Sequence, residues 1–172
     1  MKDSKNKSFF VATVGIFTAL SLALSFLESL IPANFLPLGA KPGLSNIAVM
    51  FSASALGTIP SIFIVIIKSA FAGLTRGTVA GFLSLCGGLL SVLTMILFFR
   101  FSKKTSILLI SVFSAVAHNL GQFIGAYFIT GTPSMIYYLP LLLIYGIFFG
   151  IITGTILKII LPYLNKLRSK IQ

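Results

Sequence analysis

Pro42-Gly-Leu-Ser-Asn-Ile-Ala-Val-Met-Phe-Ser-Ala-Ser-Ala-Leu-Gly57-Thr-Ile-Pro60-Ser-Ile-Phe-Ile-Val-Ile-Ile67 is a run of 26 uncharged residues, broken near its middle by Gly57-Thr58-Ile59-Pro60. A membrane-crossing helix needs about 20 apolar residues to cover about 30 Å of hydrocarbon at about 1.5 Å per residue. As a single helix the run is over-long, and Pro60 would break its hydrogen-bond ladder. As two helices meeting at the Gly-Pro turn, both are short unless the second continues through Lys68 towards Leu74. The division decides on which side of the bilayer every later segment emerges.

The flanking segments are simpler. Phe9–Ile31 is 23 residues broken only by Glu28; Gly77–Phe99 is 23 residues without a charge; Ile107–Ile129 is 23 with only His118; Ile136–Leu157 adds 22. The opening MKDSKNKSFF looks like the basic start of a signal peptide. The apolar stretch after it is too long for one, and no convincing small-x-small cleavage site precedes Glu28. It reads as a first transmembrane helix. Over the whole chain of 172 residues, 57% are hydrophobic, 9% are charged and the mean hydropathy is +1.08. Soluble domains carry about 25% charged residues, so an ordinary soluble globule is excluded. One cysteine, Cys86, excludes a disulfide framework.

The net charge of +11 would suggest nucleic acid in a soluble protein. Here the basic residues sit between apolar blocks, where they act as topology signals and contact lipid headgroups. Nucleic acid is not an expected partner; membrane lipid is. With six spans and both termini inside, Lys2, Lys5, Lys7, Arg100, Lys103, Lys104, Lys158, Lys166, Arg168 and Lys170 are cytoplasmic, ten against three (Lys41, Lys68, Arg76). Five spans give at best eight against five. The positive-inside bias therefore selects six spans, or four plus a re-entrant hairpin of the same parity. The expected fold is an all-α integral membrane protein: one domain over residues 1–172, a six-helix bundle with helices two and three short and both termini cytoplasmic.

Lipid gives helices no hydrophobic reason to associate, so small residues and hydrogen bonds must hold them together. Three small-residue stripes are present: Gly146, Gly150 and Gly154; Ser84, Gly87, Gly88 and Ser91; and Ala12, Ala19 and Ala23. Each fits internal packing or a partner-docking face, and the sequence leaves both readings open.

Polar residues within the spans collect towards the outer side. Glu28 lies near the outer end of helix one, Lys41 in the first outer loop, Lys68 within helix three and Arg76 at the start of helix four. On helix five His118 and Gln122 share a face at i,i+4, with Asn119 beside Gln122. Intramembrane ionisable groups are costly and generally face a bundle interior or a watery cavity. The expectation is an outward-facing, net-positive pocket for an anionic or polar small molecule. Three plainer readings stand beside it: Lys68 and Arg76 snorkel to headgroups, Glu28 makes a structural bridge, and the amide cluster ties helices together. The loop from Pro32 to Asn46 is expected to fold over the outer mouth as a lid or, equally, to rest as a hydrophobic loop in the interface, with Ser45 or Asn46 capping the next helix. Asp3 and Glu28 are the only acids and His118 the only histidine, so two-carboxylate catalysis and a metal site lack their parts. No Walker A motif is present, so any ATP-driven step needs another chain.

Leu27-Glu-Ser-Leu-Ile-Pro32, Lys41-Pro-Gly-Leu-Ser-Asn46, Ser84-Leu-Cys-Gly-Gly-Leu-Leu-Ser91, Ala117-His-Asn-Leu-Gly-Gln122 and Tyr138-Leu-Pro140 together resemble the Gx transporter family, also labelled heptaprenyl diphosphate synthase component I. That family is similar to the substrate-binding S components of energy-coupling factor transporters. The resemblance implies six helices in a bacterial cytoplasmic membrane, with ligand bound near the outer face. It also implies a separate membrane scaffold and two ATPase subunits that drive transport, with the scaffold docked on an alanine-rich face of helix one, here Ala19 and Ala23. It marks Glu28, Lys41, Asn46, His118, Asn119 and Gln122 as family-motif positions. No intrinsic cofactor is implied, although flavin- or quinone-related molecules are candidate ligands. The enzymatic label does not suit the residues, since prenyl diphosphate synthases resemble one another through aspartate-rich motifs. The alternative role is an accessory membrane subunit of a quinone, prenyl or flavin-based electron-transfer pathway; a subunit of a prenyl-transferring enzyme ranks below it.

Overall fold

The computed structural model describes the backbone at residues 2–31, 43–101 and 105–171, and the side chains at 7–31, 43–101 and 105–163. Among them are six helices: α1 (Lys2–Ser29), α2 (Ser45–Ala55), α3 (Thr58–Arg76), α4 (Thr78–Phe101), α5 (Ile107–Thr130) and α6 (Leu139–Ile171). A short 3-10 turn at Pro133–Tyr138 precedes α6, and no strand is present among the described residues. Five of the helices are long and apolar enough to cross a membrane. Their outer surfaces carry large exposed side chains such as Val11, Leu74, Leu93, Phe128 and Ile159, the pattern of a bundle solvated by lipid.

The run that decides the topology divides at Gly57, which takes φ +101° between α2 and α3. A residue with a Cβ is strained there. Pro60 falls in the first turn of α3, where its missing N–H leaves no helical bond unmade. α3 runs on through Lys68 to Arg76 and, at 19 residues, reaches spanning length instead of being short. α2 has 11 residues, or about 16 Å of helix, roughly half of the hydrocarbon thickness. It is also the best-enclosed helix: Ala48, Val49, Met50 and Phe51 are all buried. They form the centre of the apolar core with Phe17, Ile64, Val65, Val92, Met95, Ile110 and Leu157. Phe17 stacks on Phe51 with ring centroids 4.4 Å apart.

Two of the small-residue stripes are internal. A Cβ on Gly88 would lie 2.5 Å from Val65 of α3, and one on Gly121 would lie 2.5 Å from the Cys86 carbonyl of α4. Gly146, Gly150 and Gly154 pack against Val116, Val112 and Ser111 of α5. The α1 stripe differs. Ala12, Ala19 and Ala23 are exposed, and a Cβ on Gly15 between them would meet nothing within 4 Å. The opposite face of α1, with Thr13, Phe17, Ser21, Ser25 and Glu28, is the buried one.

The expected cap of α2 takes another form. Leu44 occupies the N-cap position without a side-chain hydrogen bond, and Ser45 is the first helical residue. The Glu28 carboxylate of α1 takes the Ser45 N–H instead. Most of the expected covering loop, residues 32–42, lies outside the described residues.

Candidate functional site

Glu28 sits in the last turn of α1 on its buried face, one and two turns beyond Ser25 and Ser21. Its Oε1 accepts the Ser45 N–H at 3.0 Å and its Oε2 accepts the Ser45 hydroxyl at 3.3 Å. A carboxylate at a helix N-terminus meets unsatisfied N–H groups and the positive end of the helix dipole. Ser21 donates to the Ser45 carbonyl at 3.3 Å, which fixes α1 against the same turn.

From the other side, Lys68 of α3 donates through Nζ to Asn46 Oδ1 at 2.8 Å and to Ser45 Oγ at 3.3 Å. Lys68 is 2% exposed and Glu28 is 4% exposed. The Ser45 hydroxyl thus stands between the acid and the amine, accepting from one and donating to the other. Buried charges are expensive unless paired and hydrogen-bonded, and this bridge supplies both conditions. Arg76, at the end of α3, reaches Ser25 through Nη2 at 3.4 Å. Its Nη1 is shielded from solvent and has no hydrogen-bond partner among the described residues. Ser69 donates to Ser84 at 3.3 Å, linking α3 to α4 beneath these groups.

Glu28, Lys68 and Arg76 face one cavity with His118 and Gln122 of α5; Ser25, Gly43, Ser45 and Ser84 complete the lining. The formal charges of the described lining sum to one net positive. The cavity measures about 10 Å³, the space of a single water.

The structure therefore brings together Glu28, Lys68, Arg76, His118 and Gln122, and joins Asn46 to them through Lys68. Lys41 lies outside the described residues. Asn119 is directed elsewhere: its Nδ2 donates to the Leu142 carbonyl at 2.8 Å and ties α5 to α6. Intramembrane hydrogen bonds of this kind contribute about 0.6 kcal/mol on average and up to about 1.7. Asn119→Ala is expected to cost about 1 kcal/mol in unfolding titrations of the detergent-solubilised protein while leaving small-molecule retention intact.

Three lining serines were missed by sequence reasoning as site residues. Ser25 was signalled by the 21-25-28 spacing that puts it on the face of Glu28. Ser84 was visible only as a small packing residue, and Ser45 only as a possible cap.

The fold and this cluster define a polytopic helical membrane protein with a buried, charged polar centre. Residues 17–160 match the family described as heptaprenyl diphosphate synthase component I, the Gx transporter family, and the chain belongs to that family. No curated protein and no solved structure matches the chain.

Proposed function

We propose that this chain is an S-component-like binding protein that captures a small anionic or polar molecule from outside a bacterial cytoplasmic membrane, driven by a separate scaffold and two ATPase subunits. The observation that carries the reading is the convergence of buried Lys68 and half-buried Arg76 on one cavity. There the single intramembrane acid is already engaged by the N-terminus of α2. Arg76 retains a free donor on Nη1 among the described residues, suited to a carboxylate or phosphate oxygen. A guest larger than water enters only after the Glu28–Ser45–Lys68 contacts part, so binding and movement of α1 against α2 are one event. The outside orientation rests on the ten basic residues assigned to the opposite, cytoplasmic side with both termini. In that topology the chain returns inwards at α2, although α2 is too short to span alone.

The family's enzymatic description is not carried over to this chain. Its two acids, Asp3 and Glu28, cannot form an aspartate-rich diphosphate site, and we read the chain as a carrier and not a synthase. The partner argument rests on α1, whose Ala12, Ala19 and Ala23 leave a smooth exposed face of the kind that lets a second helix approach closely. Ala19→Leu with Ala23→Leu is expected to leave thermal stability unchanged, because both positions are exposed, and to abolish copurification of an ATPase-bearing complex. A redox or prenyl-synthase complex recovered in its place, unaffected by the two leucines, would favour the accessory-subunit role and overturn the transport reading.

A further inference from the structure

A second cavity of about 10 Å³ lies on the other side of Asn46, between α2, α4, α5 and α6. Its polar lining is Asn46, Ser91, Ser111, Ser114 and Thr153. Ser91 and Ser114 are each 1% exposed, and neither hydroxyl has a hydrogen-bond partner among the described residues. Buried serines in helices commonly bond back to a carbonyl one turn earlier, as Ser61 does to Gly57. These two do not. The Ser111–Thr153 hydroxyl pair is directional: Thr153 donates to the Phe149 carbonyl at 2.9 Å, so in its contact of 3.0 Å with Ser111 the serine is the donor. The Ser111 oxygen keeps acceptor capacity. The cavity thus presents two unused donors and one unused acceptor around the volume of one oxygen atom with its hydrogens. Water held inside proteins needs two to four polar partners, and such a space suffices for one molecule.

We infer that this compartment is a specific site for one hydroxyl-sized hydrogen-bonding guest, which accepts from Ser91 and Ser114 and donates to Ser111. Two sources share that chemistry: a trapped water, or a hydroxyl of a molecule whose charged part lies on the Lys68 side of Asn46. The water source is independent of the proposed transport role. The ligand source rests on it and adds that the substrate carries a neutral hydroxyl beside its anionic group.

A guest and a dry pocket give opposite signs. If the hydroxyls are engaged, Ser91→Ala and Ser114→Ala each lower the melting temperature of the detergent-solubilised protein by about 2–4 °C. The double variant then falls by less than the two single shifts added, because one guest bridges both groups. If the compartment is dry, removing an unsatisfied buried hydroxyl raises the melting temperature or leaves it unchanged, and the effects add. That result overturns the inference. Hydroxyl-radical footprinting of the unaltered chain gives a second readout, which decides should a variant fail to fold. Met50 and Met95 line the cavity and are 2% and 1% exposed. Radicals formed from a trapped water oxidise them although bulk solvent does not reach them, whereas a dry cavity leaves them unlabelled. The same measurements before and after exhaustive detergent exchange separate the sources. Coupling and labelling that survive exchange mark water. Coupling without labelling before exchange, with labelling of Met50 and Met95 gained after it as water replaces the guest, marks a ligand hydroxyl. Transport or its failure enters neither readout, so this inference and the proposed function fail separately.

Discussion

Lys68→Met lowers the unfolding free energy by about 3 kcal/mol, roughly 10 °C in a chain of this size, and Glu28→Gln in the same molecule restores a large part of it. The reason is the asymmetry between breaking a buried charge network and removing it. With Lys68 gone, the Glu28 carboxylate keeps its two bonds from Ser45 but loses the cation that shares the Ser45 hydroxyl. A buried charge left without its counter-charge is costly, whereas replacing both partners by neutral groups of similar shape is much less so. Thermal denaturation of the single and double variants in one detergent measures the effect. Equal losses in Lys68→Met and the double variant would mean that Glu28 and Lys68 do not depend on each other.

Gly121→Val is expected to be at least as damaging, about 3 kcal/mol or more, for a steric reason unrelated to charge. A Cβ at position 121 would lie 2.5 Å from the Cys86 carbonyl oxygen and 2.8 Å from the Gly87 Cα. Both obstacles are backbone of α4 and cannot rotate away, so the α4–α5 crossing must open. That crossing also carries His118 and Gln122 to the cavity, since Gly87 sits directly against both. The control is Gly15→Ala on the exposed face of α1, where the added methyl meets nothing within 4 Å. It leaves the melting temperature unchanged or slightly raised. A Gly121→Val protein as stable as the control would contradict the close α4–α5 packing.

Much of the fold is legible in the residues, because lipid imposes a simple rule: long uncharged runs become helices, and their ends coincide with charge or Gly-Pro signals. Gly77–Phe99 and Ile107–Ile129 end within two residues of α4 and α5, and Phe9–Ile31 ends within two residues of the end of α1, which begins about two turns earlier in the polar tail. Gly57 and Pro60 mark the break between α2 and α3 by chain geometry alone. The shortness of α2 is legible too, since Gly43 (φ +74°) and Gly57 (φ +101°) bracket it; what the sequence does not show is that Glu28 of another helix takes up the Ser45 N–H at its start.

The candidate site was legible in depth but not in direction. Glu28, Lys68, Arg76, His118 and Gln122 share a level that can be counted along each helix. Which way each points depends on packing that periodicity cannot supply. His118 and Gln122, one turn apart, reach the cavity, while Asn119, rotated by about 100° from His118, faces α6 and bonds to Leu142. The same ambiguity covered the small-residue stripes. Neighbouring backbone now fills the Gly146–Gly150–Gly154 face and leaves the Ala19–Ala23 face open.

Native mass spectrometry of the gently extracted chain, run beside the Lys68→Met/Glu28→Gln double variant, bears most directly on the proposed binding role. The double variant removes both charges that meet at Ser45 while retaining most of the fold. The unaltered chain is expected to carry an anionic or polar adduct that survives desolvation, and the folded double variant to lose it. An adduct held equally by both proteins, or a wild-type chain that carries only lipid however gently it is extracted, would contradict a capture site at Lys68 and Arg76.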